Sequence, residues 1–139
     1  MAYKRKTWAE KMQPEMQPVV ETTTKTFADI PQGSRMLIAT PGIVENYLKN
    51  IPEGSETTLS QLRKDLAADY NADYTCPVTT GIFLRIVAEN AWDQLQQGKK
   101  EEEVAPFWRI INLKSPTAKK LSFGTEFLIR KRKQEQLPV

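Results

Sequence analysis

The chain has 139 residues, 40% hydrophobic and 27% charged, which is enough for one domain to bury a core without disulfides or metal. It contains no histidine and one cysteine, Cys76, which excludes Ser-His and Cys-His nucleophile pairs, an imidazole base, a His-containing zinc site and an internal disulfide framework. The net charge of +3 is unevenly spread: residues 1–26 carry +2, residues 27–103 carry −5 and residues 104–139 carry +6.

The opening "MAYKRKTWAEKMQPE" has a basic start with no apolar segment behind it, so no secretory leader is expected, and no apolar run is long enough to span a bilayer. With a single cysteine, this fits a reducing cytoplasm. Residues 1–33 read as an N-terminal arm, with Thr7 capping a short helix "WAEKMQ" and two "QP" pairs and "ETTTKTF" favouring extended chain. Residues 34–139 read as the folded domain. "SRMLIAT" suits a short strand, and Thr40 before Pro41 starts a helix that places Ile43, Tyr47, Leu48 and Ile51 on one face. "PEGSE" ends it.

Thr58 caps a second helix with Leu59, Leu62 and Leu66 on one side. A third runs from about Pro77 to Gln97, nearly encircled by apolar residues, which predicts deep burial. The polar loop "QGKKEEE" precedes "PFWRIINL", expected as a strand or extended hairpin, and "KSPTAKK" reads as a turn. A last helix, "FGTEFLIRKRKQEQ", is capped by Thr125. Three short helices followed by an extended basic segment predict a mainly α, winged helix-turn-helix domain with a short β wing.

Four features bear on chemistry. "RKRK", Arg130 to Lys133, suits either phosphate binding or a solvated helix end whose cations complement the macrodipole. Cys76 stands at a helix start, where a thiol can become reactive, but a buried inert cysteine is the simpler expectation. Thr79 and Thr80 in the first turn of the third helix suit phosphate contacts or plain capping. Asp65, Asp69 and Asp73, spaced by four, are expected to be solvated carboxylates rather than a cation site; beside a recognition helix they would oppose DNA.

Taken in order, "IVENYLKNIPEGSETTLSQLRKDLA", "TTGIFLRIVAEN", "PFWRIIN" and "FGTEFLIRKRKQEQ" resemble the DNA-binding domain of the 6-O-alkylguanine-DNA alkyltransferases and alkyltransferase-like proteins, over roughly residues 36–136. "PFWRIIN" is similar to that family's reactive loop, P-C-H-R-V-I, or P-W-H-R-V-I in the alkyltransferase-like members. Phe107 then stands at the methyl-accepting cysteine, and Trp108 at the histidine that activates it. Without a thiolate there is no acceptor for an alkyl group. Leu59 replaces a tyrosine that helps rotate the target nucleotide, and Val78 an arginine that fills the vacated stack.

The resemblance therefore implies a non-catalytic protein of alkyltransferase type that binds double-stranded DNA and recognises alkylated or extruded guanine in repair, with no cofactor or metal. It implies DNA contacts from Thr79, Thr80, Arg85, Arg109, Lys119 and Lys120. It also implies a base pocket of Pro106, Phe107, Trp108 and Glu135, in which Glu135, matching the acid that orients the missing histidine, has nothing to orient. Phe107 and Trp108 equally suit a plain aromatic core, although the polar tip of Trp108 favours the rim of a cleft. Two other readings compete: a protein-interaction module that kept the fold and lost DNA, and an enzyme using Cys76. Continuity of "RKRK", Lys119, Lys120 and Arg109 with the third helix would favour DNA; carboxylates of Asp65, Asp69 and Asp73 in that groove would favour the interaction module.

Overall fold

The computed structural model describes residues 5–139. The protein is mainly helical, with a small three-stranded sheet. Thr7 accepts the Glu10 N–H while Glu10 accepts that of Thr7, a reciprocal cap that closes the single-turn helix α1 (Trp8–Lys11). Strand β1 (Val19–Thr22) pairs antiparallel with β2 (Arg35–Ile38), Val19 opposite Ile38 and Thr22 opposite Arg35. The N-terminal stretch is thus no free arm: it supplies an edge strand, and α1 packs against the longest helix.

Helix α2 (Pro41–Lys49) starts as expected, Thr40 Oγ1 accepting the Ile43 N–H with Pro41 in the first turn. Helix α3 (Leu59–Asp69) is capped by Thr58 in the same way and sends Leu62, Leu66 and Ala67 inward. A two-residue strand, β3 (Tyr74–Thr75), then pairs parallel with β2 and fixes the start of α4 (Pro77–Gln96). Along α4, Phe83, Leu84, Ile86, Val87, Ala88 and Ala91 are buried, but Val78 and Ile82 are each 53% exposed. The helix is thus buried all round from Ile86 to Ala91, as its apolar composition predicts, and open on one side of its first turns, where Val78 and Ile82 stand. No helix among the described residues is long and apolar enough to cross a membrane.

Past α4 the path departs from expectation. Residues 106–113 form no strand; Phe107–Arg109 is a single 3-10 turn in which Arg109 N–H bonds to Pro106 and Ile111 N–H to Phe107. The β-branched pair Ile110 and Ile111 invites a strand, but Pro106 has no N–H to give a ladder and no partner strand lies alongside. The "KSPTAKK" segment forms the expected turn, a 3-10 one over Pro116–Lys120, but the expected β wing is not formed, and the three strands among the described residues all lie before α4. Helix α5 (Glu126–Gln134) closes the chain; Thr125 precedes it without making a side-chain cap.

Candidate nucleic-acid interface

The 3-10 turn that resembles a reactive loop points into the core. Phe107 is fully buried and Trp108 is 2% exposed, within an aromatic cluster in which Phe107 meets Trp108 and Phe123 edge-on at 5.4 and 5.7 Å and lies tilted against Phe127 at 5.8 Å. Trp92 stacks on Phe123 at 4.5 Å and extends the cluster to α4. Edge-to-face pairs of this kind each contribute about 0.5–1.5 kcal/mol beyond the area they bury.

Glu135 has a partner after all. Its carboxylate accepts the Trp108 indole N–H at 2.6 Å, the Arg109 guanidinium at 2.9 and 3.1 Å, and the Gly54 amide at 3.0 Å. Gly54, at φ +80°, gives the "IPEG" turn the left-handed corner that aims this N–H inward. Burial pushes the Glu135 carboxyl up, but the bonds from Arg109, Gly54 and Trp108 and the Arg109 charge outweigh it and hold it below its usual range.

Arg109 also donates to the Ile51 carbonyl at 2.7 Å, and its own carbonyl accepts the Thr57 N–H at 2.9 Å. Arg132, sunk deeper than Arg109, donates to the carbonyls of Trp108 at 2.7 Å and Pro138 at 2.6 Å and pairs with Glu56. Trp108 and Arg109 thus lock the turn to the α2–α3 connection and to α5. The place of the base pocket is taken by this lock. Pro106 and Trp108 show only an edge to a cleft of about 240 Å³ that Glu101, Glu102 and Glu103 also line, and those carboxylates repel phosphate.

The candidate DNA-binding residues divide. Arg109 faces inward to Glu135, and Thr80 is buried with its hydroxyl donated to the Cys76 carbonyl at 2.5 Å; neither side chain faces solvent as a DNA contact would. Thr79 is half-buried and its Oγ1 has no partner among the described residues. Arg85, Lys119 and Lys120 are at least partly exposed, and Arg85 and Lys120 line a groove of about 740 Å³ along the open side of α4. Val78, Ile82 and Leu59 supply its apolar floor. From the N-terminal segment come Trp8 and Lys11, which the resemblance omitted because it began near residue 36. The T-x-x-E cap at Thr7 and the i, i+3 spacing of Trp8 and Lys11 are the signal that could have found them.

The electrostatic test has a mixed outcome. Of "RKRK", Lys131 and Arg132 are buried, and Arg130 pairs with Glu101 at 3.2 Å, so the run is neither a solvated helix end nor a phosphate strip. Asp65, Asp69 and Asp73 stay out of the α4 groove: Asp65 accepts the Tyr47 hydroxyl at 2.5 Å, Asp73 accepts the Arg35 amide at 2.9 Å, and Asp69 lines a separate cavity beside α2. No carboxylate among the described residues lines the α4 groove.

Two reactive side chains, Cys76 and Tyr47, do not line this groove. Cys76 is buried at the foot of α4. Burial and its bond to Asp65 push the Tyr47 hydroxyl up to about 12, which keeps it protonated at neutral pH and useless as a base. Compared with protein-family models, curated proteins and solved structures, the chain finds no match in any of the three.

Proposed function

We propose that this chain is a non-catalytic DNA-binding protein of alkyltransferase-like type that grips double-stranded DNA through the open side of α4. One observation carries the reading: among the described residues the groove there is lined by Lys11, Arg85 and Lys120 and by no carboxylate, although the segment that contains α4 is acidic overall. Such a one-signed groove attracts phosphate, and each cation that touches a phosphate on binding releases a counterion. With Phe107 and Trp108 buried, the reading of an alkylated guanine at that turn loses its support, and duplex binding remains.

The competing reading, a protein-interaction module, draws on Val78 and Ile82, two large apolar side chains half-exposed on the same helix face. A titration of labelled duplex DNA against wild type and the triple variant Lys11→Ala, Arg85→Ala, Lys120→Ala separates the two. The DNA reading expects affinity to fall by about tenfold or more at low salt, with the salt slope flattened by roughly two to three units. Equal binding by both proteins, or by neither, leaves the interaction module.

A further inference from the structure

Trp8 is half-buried: its inner side packs against the core cluster and its outer side lines the α4 groove. Two cations collar its ring, the Lys11 Nζ at 4.3 Å and the Arg85 guanidinium carbon at 5.3 Å from the centroid. Arg85 has hydrogen-bond donors to spare. Its one ion pair is with Glu89 at 3.7 Å, and Glu89 already accepts the Ser122 hydroxyl at 2.5 Å and the Ser122 N–H at 2.8 Å. The Arg85 Nε is buried with no partner, and no hydrogen bond from this side chain is formed among the described residues. A half-exposed guanidinium with unspent donors thus lies beside an indole, in a groove whose volume falls within the range of about 300–1,000 Å³ that ligand sites occupy.

We infer that Trp8 and Arg85 form a stacking subsite for one unpaired nucleotide, its base laid on the indole or guanidinium plane and its phosphate held by Lys11, Arg85 or Lys120. The inference rests on the DNA reading above and adds to it a preference for unpaired over paired strands. A nucleotide brings together the two features this corner complements, a π-face and an adjacent anion. The apolar floor of Leu59 and Ile82 has no donor or acceptor to read a base edge, so stacking carries the contact with the base. This site lies on the groove side of α4, separate from the turn that holds Trp108, where the cleft is smaller and its wall acidic.

The test measures the affinity of the full chain for a labelled oligothymidylate and for a fully paired duplex of equal length, and its readout is the ratio of the two. Trp8→Ala is expected to lower single-strand affinity roughly tenfold more than duplex affinity, and Trp8→Phe, which keeps a ring in place, to restore most of the difference. If Trp8→Ala leaves the ratio unchanged while the Lys11, Arg85 and Lys120 triple variant weakens both ligands, the subsite is wrong and the DNA reading stands. If the triple variant weakens neither, the DNA reading fails and the subsite with it. Equal loss on both ligands that Trp8→Phe fully rescues also overturns the subsite, since Trp8 then serves only to hold α1 in place.

Discussion

Replacing Trp108 with alanine is expected to cost about 3–5 kcal/mol, a large share of the roughly 5–15 kcal/mol that holds a domain of this size together. The indole is 2% exposed, meets Phe107 and Phe127 edge-on at 5.4 and 5.8 Å, and lies 4.9 Å from the Lys131 ammonium. Its removal opens a cavity that the turn cannot collapse to fill, because Arg132 and Glu135 fix the backbone and side chains around it. Trp108→Phe keeps most of the volume and loses the N–H donor to Glu135. It should cost about 1–2 kcal/mol, since Glu135 keeps its bonds from Arg109 and Gly54. Urea melts of the two variants check this; near-wild-type stability of the alanine variant would mean that the turn stands open.

Glu135→Ala should be as damaging by a different route. It strands three donors, the Trp108 indole, the Gly54 amide and the Arg109 guanidinium, whose side chain is 15% exposed. Removing one partner of a buried pair costs about 3–5 kcal/mol, and the residual exposure of Arg109 places this case towards the lower end. Glu135→Gln keeps the shape and one acceptor, and should lose less. Because the folded-state pKa of Glu135 lies below its ordinary value, its contribution is full above the unfolded glutamate pKa of about 4.3 and disappears as pH falls through the folded value. The stability gap between wild type and Glu135→Gln should therefore be wide at about pH 7 and narrow at about pH 3, with urea midpoints as the measure. A gap independent of pH would show that the charge of Glu135 does nothing for the fold.

The helices were legible because their signals are local. Thr40-Pro41 and the Thr58 cap mark the starts of α2 and α3, and the apolar spacing of Leu59, Leu62 and Leu66 marks the inner side of α3. The turn at Phe107–Arg109 was misread because β-branched, apolar composition suits any buried extended chain, and only a partner strand makes it a sheet. The role of Glu135 was hidden for a related reason. Its donors come from Gly54, Trp108 and Arg109, up to 81 positions away, and no spacing rule joins them. "RKRK" looked like one surface feature, but helical geometry turns Lys131 and Arg132 inward and leaves Arg130 and Lys133 outside. The groove is half-legible: the resemblance points to Arg85 and Lys120, whereas Trp8 and Lys11 reach it through the docking of α1 on α4.

Amide chemical-shift mapping during titration with a short DNA duplex tests the central claim most directly. If α4 is the DNA-binding element, the largest changes should fall on its open side and the rims of its groove, at Val78, Gly81, Ile82, Arg85 and Lys120, with Lys11 joining them. Residues 107–109, locked behind Glu135, should move little. Changes centred on residues 106–109 with α4 silent would restore an extruded-base pocket, and a spectrum unmoved by DNA would contradict the assignment altogether.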